Sequence, residues 1–381
     1  MKMRPMKLAG DNLVFGEGAL DYLKTINGKK AVIVISGGSV ERSGYLDKII
    51  NNLKEANIES KVFRGVEPDP YFSTVLKGAE FMMEFNPDWI IGLGGGSAMD
   101  AAKAMWIFYE HPELKSLSDV MSPNKVPKLR NKAKMISIPT TSGSASEVSR
   151  SIVITEDDTH RKCGIGDMEM MPDVALLEPG ITVSMPKKIT AETGMDALTH
   201  AIEALVSNRS NYLSDILAKQ AIKDIIEYLP KAYEEGENIE YREIMQNASM
   251  VAGLAFTNVS LGIVHSIAHT LGSYYRIPHG VGDAIVLPYV IKFNKQDERA
   301  LKIYSEIEKE LGIDNLEEFI FELNEKIGIP RGVKSLINND CEYNKNIDEF
   351  SEIAIKDGCT KTNPVIPTLE QMKDLVKEIY V

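Results

Sequence analysis

Three of the six histidines in the chain lie within one short segment, Ser260 to Gly280. His265 and His269 are four residues apart, so a helix through this segment places both imidazoles on one face, about 6 Å apart. His279 follows Pro278, which favours a position in the loop that ends this helix. A single histidine more often satisfies a hydrogen bond in the core, but three in so short a segment favour a site that surrounds a cation.

A second segment, Ala191 to Ser207, adds two further candidate ligands. Asp196 and His200 are again four residues apart, which places a carboxylate and an imidazole on one helix face. With two of the three downstream histidines they make a four-ligand site for a divalent cation. Imidazoles with one carboxylate suit Fe²⁺, Zn²⁺ or Ni²⁺ better than Mg²⁺ or Ca²⁺. The spacing leaves open whether His269 or His279 is the fourth ligand.

The composition favours a globular protein with no nucleic-acid or membrane partner. The 381 residues suggest two or three domains, and a hydrophobic content of 44% is enough for a large core. A net charge of -12 disfavours binding to nucleic acid or to an anionic membrane. Cys163, Cys341 and Cys359 are widely spaced, which fits a reducing compartment. We find no signal-peptide core and no apolar run long enough to span a bilayer, and therefore expect a cytoplasmic protein.

Short apolar runs alternate with helical patterns in the first half of the chain. This alternation predicts an α/β layer of parallel strands with crossover helices. The predicted strands are Lys30–Ser36, Lys61–Phe63, Asp88–Gly92 and Lys134–Pro139, and the predicted helices are Gly44–Lys54, Ser73–Phe85 and Ala98–Phe108. Ser151–Thr155 and Val174–Leu177 complete this half of the chain.

Two loops that follow strands have the composition of ligand-binding loops. Gly94-Gly95-Gly96-Ser97 opens a helix, whose N-terminus offers N–H groups and a positive dipole end to a phosphate. The loop is neither GxGxxG nor a P-loop, and tight turns use the same residues. Thr140 to Glu147 is rich in small hydroxyl residues, which either line a polar cofactor or cap the next helix.

A cluster of turn residues at Pro172, Pro179 and Pro186 marks a change of pattern. Long amphipathic helical stretches follow it, with no convincing strand. We place a boundary near Thr182, which gives an α/β nucleotide-binding domain over 1–182 and an all-helical metal-binding and substrate domain over 183–381. The phosphate-type loops fall in the first domain and the metal ligands in the second, so we expect the active site in the cleft between them.

Four segments together resemble the iron-containing (group III) alcohol dehydrogenases. They are GGGSAMDAAKA at 94–104, PTTSGSASEVS at 139–149, GMDALTHAIEA at 194–204 and SLGIVHSIAHTLGSYYRIPHG at 260–280. The resemblance extends over essentially the whole chain. It implies a Rossmann-like, dinucleotide-binding domain with a parallel sheet, followed by an all-helical metal-binding domain. It also implies a homodimer or a higher homo-oligomer.

The resemblance assigns roles to individual residues. The implied metal ligands are Asp196, His200, His265 and His279. His269 would then lie beside the nicotinamide and the substrate, as a proton relay or as a positioning group, and Phe256 would line the substrate pocket. The implied nucleotide contacts are Gly95, Gly96, Ser97, Asp100, Thr140, Thr141 and Lys162.

The segment after the first predicted strand, Gly37-Gly38-Ser39, bears on the choice of nicotinamide. In the lactaldehyde-reductase branch of the family an aspartate stands where this chain has Gly37, and it bonds the ribose 2′-hydroxyl while repelling a 2′-phosphate. Gly37 removes that charge and leaves room, and the Ser39 hydroxyl can donate to a phosphate. A similar segment occurs in NADPH-linked butanol dehydrogenases. We therefore expect NADP(H) to be preferred over NAD(H), against the alternative that the two glycines only shape a turn.

The expected activity is metal-dependent hydride transfer between NAD(P)(H) and a short primary alcohol or aldehyde, a small-molecule substrate. A zinc-dependent glycerol or polyol dehydrogenase of the same fold is an alternative. A metal-dependent hydrolase is another, but the HExxH signature is absent and the glycine and threonine loops would be unexplained. A non-catalytic metal-binding protein would not need two domains around a cleft.

Overall fold

The computed structural model describes residues 6–381, which divide into two compact units. The first unit runs to Met185 and also includes Glu237–Met250, and the second consists of Pro186–Gly236 and Val251–Val381. The division after Met185 lies close to the expected change of pattern near Thr182. The functional domains 1–182 and 183–381 stay a prediction. The sequence did not predict that residues 237–250 would belong to the first unit.

The first unit contains all the strands of the described residues. They are β1 (Asn12–Phe15), β2 (Lys30–Ile35), β3 (Glu59–Phe63), β4 (Trp89–Gly94), β5 (Lys134–Pro139), β6 (Ser151–Thr155), β7 (Lys162–Gly166) and β8 (Val174–Leu177). Six of them form a parallel sheet in the order β1-β8-β5-β4-β2-β3. β6 and β7 form a separate antiparallel pair. The expected Rossmann-like parallel sheet is therefore confirmed.

The helices that cover the sheet are short or medium in length. They are α1 (Ser39–Arg42), α2 (Tyr45–Glu55), α3 (Phe72–Phe85) and α4 (Gly96–Glu110), with short 3₁₀ helices at Ala19–Thr25, Leu117–Asp119, Met168–Met170 and Pro179–Thr182. Both faces of the sheet are buried, because side chains of β2 alternate between two cores. Ala31, Ile33 and Ile35 pack on the side of α2, and Val32 and Val34 pack on the side of α3 and α4. This explains why β2 reads as a continuous apolar run.

The strand order places two loops side by side at the carboxyl edge of the sheet. The chain leaves β2 through α2 toward β3, on one side, and leaves β4 through α4 toward β5, on the other. Ile35 at the end of β2 pairs with Leu93 near the end of β4. In open parallel sheets the crevice at such a reversal is where ligands bind. The segments that begin at Gly37 and Gly94 flank this position.

The second unit is helical throughout its described length, as the sequence predicted. After α5 (Lys187–Val206) and α6 (Tyr212–Glu234) come α7 (Ile239–Val259), which begins in the first unit, α8 (Ile263–Tyr275) and α9 (His279–Asn294). The remaining elements are α10 (Glu298–Leu311), α11 (Leu316–Lys326), α12 (Lys334–Ile337), α13 (Asp340–Lys356), a 3₁₀ turn at Cys359–Thr362 and α14 (Leu369–Glu378). Among residues 6–381 no single helix is both long and apolar enough to cross a membrane; α7 and α8 pass that test only as a pair bent by 102°.

Two strands, β1 and β7, were not predicted from the sequence. β1 has only four residues and lies at the edge of the sheet, where its end residues are exposed. β7 contains two glycines and alternates between buried and exposed residues. β1 is stabilised by pairing with β8, which is distant in sequence, and β7 by pairing with β6 across a hairpin. The local residue pattern does not predict such pairing.

Trp106 anchors α4 to the segment that leads into β5. Its side chain is fully buried, and the indole N–H donates to Glu110 Oε1 at 3.0 Å and to the Ala133 carbonyl at 3.1 Å. We expect Trp106→Ala to lower the free energy of unfolding by about 3–5 kcal/mol, because it leaves a large cavity. Urea unfolding followed by circular dichroism measures the change.

Met83 on α3 provides the control, since it is 43% exposed. Met83→Ala should change the unfolding free energy by less than about 0.5 kcal/mol. Equal effects of the two substitutions would show that Trp106 is not the anchor of α4.

Candidate functional site

Helix α5 places three polar side chains on one buried face. Asp196, His200 and Glu203 follow one another at spacings of four and three residues, which is one side of a helix. All three are at least nine-tenths buried. Asp196 Oδ1 lies 3.4 Å from His200 Nε2. Alanine-rich helical sequence surrounds these polar residues, so the polar face is local and specific.

Helices α8 and α9 bring two more imidazoles to the same carboxylate. His265 Nε2 lies 3.7 Å, and His279 Nε2 3.9 Å, from Asp196 Oδ1. The structure thus places a nitrogen of each of the three implied histidine ligands within 3.9 Å of one oxygen of Asp196. Distances of 3.4–3.9 Å are those between two atoms that share a cation, each about 2.0–2.2 Å from it.

His279 does not lie in the loop where the sequence placed it. Helix α8 ends at Tyr275, and Arg276 adopts a left-handed conformation that terminates it. Pro278 is the N-cap of α9, and His279 is the first helical residue. The expectation of a loop position was wrong. A proline can mark the end of one helix, but it is equally compatible with the start of the next helix, as Pro278 is here.

Glu203 fixes the orientation of His265. Glu203 Oε2 lies 2.6 Å from His265 Nδ1, and Glu203 Oε1 accepts a hydrogen bond from the Val264 N–H at 2.8 Å. An ionised carboxylate only accepts, so His265 Nδ1 carries a proton, and in the neutral ring this leaves Nε2 with a lone pair. A carboxylate that holds the second nitrogen of a histidine is the usual outer support of a metal ligand.

The polar atoms at the centre of the cluster fit a cation. Asp196 Oδ1 and His265 Nε2 are buried and have no hydrogen-bond partner among the described residues. In the neutral form of His265 that a metal ion requires, both atoms are acceptors that face each other. Leaving buried acceptors unsatisfied costs free energy that a divalent cation would offset.

The pKa shifts in the cluster also fit a bound cation. Burial raises the pKa of Asp196, but the imidazoles of His200, His265 and His279 outweigh burial and hold the pKa below its ordinary value. Burial lowers the pKa of His265, but carboxylates, chiefly Asp283 and Glu203, outweigh it and raise the pKa. The cluster therefore attracts positive charge, which a proton or a metal ion can supply.

Asp283 belongs to the same cluster and was missed in the sequence. It is fully buried on α9, and its Oδ2 lies 3.3 Å from His279 Nε2. Asp196, His265, His279 and Asp283 each offer a ligand atom within 4.8 Å of the others. Burial raises the pKa of Asp283 well above its usual range. The signal was its spacing of four residues from His279, the same spacing that singled out His265 with His269.

His269 points to a different partner from the other histidines. Its Nδ1 lies 3.0 Å from Asp357 Oδ2, and its ring stacks on that of His279 at a centroid distance of 5.3 Å. Burial raises the pKa of Asp357, but His269 and the N–H of Cys359 outweigh it and keep that carboxyl ionised. Because the carboxylate only accepts, His269 Nδ1 is its donor. Burial raises the pKa of the Cys359 thiol, so this residue is a poor ligand.

Phe256 forms an aromatic wall beside the cluster. Its ring stacks on that of His200 with a centroid distance of 4.3 Å and an interplanar angle of 21°. The side chain is 7% exposed. This position is compatible with the expected role in lining a substrate pocket.

Glycines after β4 let the hydroxyl-rich loop approach the first turn of α4 closely. A Cβ on Gly96 would lie 3.0 Å from the Ser144 side chain, and one on Gly95 would lie 3.4 Å from Thr141. Gly94 has a φ of +155°. No side chain caps the N-terminus of α4, and its first turn carries no acidic residue. Thr140 N–H donates to the Gly94 carbonyl, which ties the hydroxyl-rich loop to the glycine loop.

The loop after β2 is open at Gly37. A Cβ on Gly37 would meet nothing within 4 Å, whereas one on Gly38 would lie 3.0 Å from Arg42 Nη1. Ser39 is the first residue of α1. Arg42 was not singled out in the sequence, although it lies on the helix that this loop opens.

Asp100 and Lys162, both implied nucleotide contacts, have protein partners. Asp100 accepts from Ser146 Oγ at 2.6 Å and from the Val153 N–H at 2.9 Å. Lys103, one turn on, donates to Ser146 Oγ, and burial lowers its pKa to about 8. Lys162 on β7 lies 2.7 Å from Asp69. Asp100 therefore holds the hydroxyl-rich loop against α4, and both of its carboxylate oxygens accept hydrogen bonds from the protein.

Comparison with known proteins gives a consistent family assignment. The model described as iron-containing alcohol dehydrogenase matches residues 11–179, and the C-terminal model of the Fe-containing alcohol dehydrogenase family matches residues 190–380. The structure of the iron-containing alcohol dehydrogenase from Thermococcus thioreducens is similar with a TM-score of 0.91, at 33% identity and over 99% of both chains.

Two curated relatives cover nearly all of this chain. The NADPH-dependent butanol dehydrogenase of Clostridium saccharobutylicum is 48% identical over 97% of this chain and 96% of its own length. The bifunctional aldehyde-alcohol dehydrogenase AdhE of Escherichia coli is 39% identical over 95% of this chain. That match covers 44% of AdhE, which is a longer protein. These matches favour neither the polyol dehydrogenase nor the hydrolase alternative. The chain therefore belongs to the iron-containing alcohol dehydrogenase family, as its four sequence segments predicted, and is an alcohol dehydrogenase.

Proposed function

We propose that this alcohol dehydrogenase binds Fe²⁺ through Asp196, His200, His265 and His279 and prefers NADP(H) to NAD(H). Its substrates are short primary alcohols and the corresponding aldehydes. The observation that carries the proposal is the buried Asp196 Oδ1, which faces three imidazoles and accepts no hydrogen bond from the described residues. Zn²⁺ or Ni²⁺ could occupy the same donors.

The chemistry divides between the bound groups and the protein. A divalent cation supplies Lewis acidity toward an alcohol or carbonyl oxygen, and a nicotinamide accepts or supplies the hydride. The protein's own contribution is orientation: Glu203 sets the tautomer of His265, and Asp357 sets that of His269. Phe256, stacked on His200, limits the access of water to this side of the cluster.

The nicotinamide preference is supported by the loop after β2. Gly37 leaves open space, and Arg42 lies beside Gly38, so a 2′-phosphate would meet a cation there. The Glu41 carboxylate, which also lies near Gly38, accepts a hydrogen bond from Arg64. An arginine near this strand end is the usual accommodation for a 2′-phosphate. The butanol dehydrogenase at 48% identity is NADPH-dependent by name. We infer the phosphate cradle to be Gly95, Gly96 and Ser97, with Thr140, Thr141 and Lys162 as further contacts.

A homo-oligomer and a cytoplasmic location stay predictions from the sequence. Neither is needed for the roles given to the residues above.

Removing a ligand should separate metal binding from nucleotide binding. We expect Asp196→Ala, and separately His265→Ala, to lose the bound metal and with it the dehydrogenase activity, because both residues face the centre of the cluster. NADPH binding, followed by its fluorescence, should persist. Metal analysis and activity assays under anaerobic conditions measure the loss, and chelation of the unmodified enzyme should reproduce it.

Glu227 on α6 serves as the control, since its carboxylate pairs with Lys231 on the same helix at 3.0 Å. Glu227→Ala should retain metal and activity. Full activity of the Asp196→Ala enzyme without bound metal would refute the proposed site.

A carboxylate at position 37 should reverse the nicotinamide preference. We expect Gly37→Asp to lower kcat/KM for NADPH by at least about tenfold, because like charges placed close together cost several kcal/mol. The ratio of kcat/KM for NADPH and NADH is the measurement. Arg42→Ala should lower the same ratio without adding a negative charge.

Gly37→Asn separates charge from bulk, since asparagine has the size of aspartate. It should leave the NADPH/NADH ratio closer to that of the unmodified enzyme than Gly37→Asp does. An unmodified enzyme that prefers NADH, or an unchanged ratio in Gly37→Asp, would contradict the preference.

Asp357 should act through the orientation of His269. We expect Asp357→Asn to reduce kcat at least about tenfold, because asparagine no longer requires Nδ1 to be the donor. Nitrogen NMR of labelled histidine should show a changed tautomer for His269, while the metal content stays constant. Asp340→Asn, which alters an exposed carboxylate that accepts from Tyr380, is the control and should change neither. A normal kcat with an altered tautomer would exclude this role.

A further inference from the structure

Asp283 is the acidic residue of the cluster that neither the implied ligand set nor the catalytic roles above account for. Its side chain is fully buried, and neither carboxylate oxygen has a hydrogen-bond partner among the described residues. A buried carboxylate without partners is costly, by several kcal/mol for an ion that stays charged. Proteins retain such groups where a cation compensates them.

The position of Asp283 is that of a ligand. It follows His279 by four residues on α9, so both side chains project from one face of the helix. Asp283 Oδ2 lies 3.3 Å from His279 Nε2, the separation expected of two atoms bound to one cation at about 2.0–2.2 Å. Its ligand atom also lies within 4.8 Å of those offered by Asp196 and His265.

A supporting role like that of Glu203 fits the geometry less well. His265 Nδ1 lies 3.9 Å from Asp283 Oδ1, which is too long for a hydrogen bond, and the same nitrogen lies 2.6 Å from Glu203. The nitrogen of His279 nearest Asp283 is Nε2, the atom that also faces Asp196. If His279 binds the cation through Nε2, that atom has no proton to donate to Asp283.

We propose that Asp283 is a fifth protein ligand of the cation, which makes the centre one of two carboxylates and three imidazoles. The inference rests on the proposed metal site but not on its activity. A second carboxylate adds negative charge and a hard oxygen donor. Five protein donors disfavour the four-coordinate tetrahedral arrangement typical of structural zinc sites and suit Fe²⁺, which accepts higher coordination numbers.

The direct test is the crystal structure of the unmodified enzyme loaded with Zn²⁺ after removal of other metals. Anomalous scattering locates the ion. An Asp283 carboxylate oxygen at about 2.0–2.2 Å from the ion supports the proposal. A distance beyond about 3 Å overturns it, even if Asp196 and the histidines bind as expected. This experiment needs no variant, so it does not depend on the folding of one.

The second test compares Zn²⁺ affinity in Asp283→Asn, measured by competition with a chelator. Loss of a ligand should weaken binding by on the order of 10- to 100-fold, at least the effect of removing an outer support. Asp357→Asn is the matched control, because it makes the same change in a carboxylate that faces His269, and it should leave the affinity unchanged. Melting of the metal-free variants checks that both are folded.

The outcomes distinguish this inference from the proposed metal site. An unmodified enzyme that takes up no Zn²⁺ removes the site and the inference together. Zn²⁺ bound with equal affinity by Asp283→Asn and the unmodified enzyme overturns the fifth ligand alone and leaves the four-ligand proposal standing.

Discussion

The helical unit depends on a buried carboxylate, Asp196, that is surrounded by imidazoles and lacks a donor for its Oδ1. Such a group is tolerable in a protein interior only when positive charge lies next to it. The imidazoles come from three helices, so whatever satisfies Asp196 also holds those helices together. At the proposed metal site, the binding of a cation would therefore also stabilise the packing of α5, α8 and α9.

Two features of helix packing allow these groups to meet. A Cβ on Gly280 would lie 2.1 Å from the Glu192 carbonyl, so the start of α9 can approach α5 only because residue 280 is glycine. Gly262 is similar, since a Cβ there would lie 2.8 Å from Glu203 Oε1. Glu203 then binds the first turn of α8 with one oxygen and His265 with the other. A single carboxylate thus sets both the helix and the direction of its histidine.

The α/β unit meets a different physical requirement, which is to present N–H groups and open space at one edge of a sheet. The parallel pairing of β2 with β4 brings their loops together, and small residues keep the edge free of side chains. Buried Lys103 and half-buried Asp100 hold the hydroxyl-rich loop through Ser146. These contacts lie within the unit, so the shape of this edge does not depend on the histidine cluster.

The sequence by itself determined the features that depend on local spacing. The buried strand β2, the glycine loop before α4, the pairing of Asp196 with His200 and the family follow from periodicity and motifs. Tertiary structure decided the rest: that His269 faces Asp357 while His279 starts a helix and faces Asp196, that Glu203 supports His265, and that Asp283 joins the cluster. The physical reason is that residue spacing specifies which side chains share one helix face, whereas the partner of that face depends on how separate helices pack, and glycines such as Gly280 set that approach.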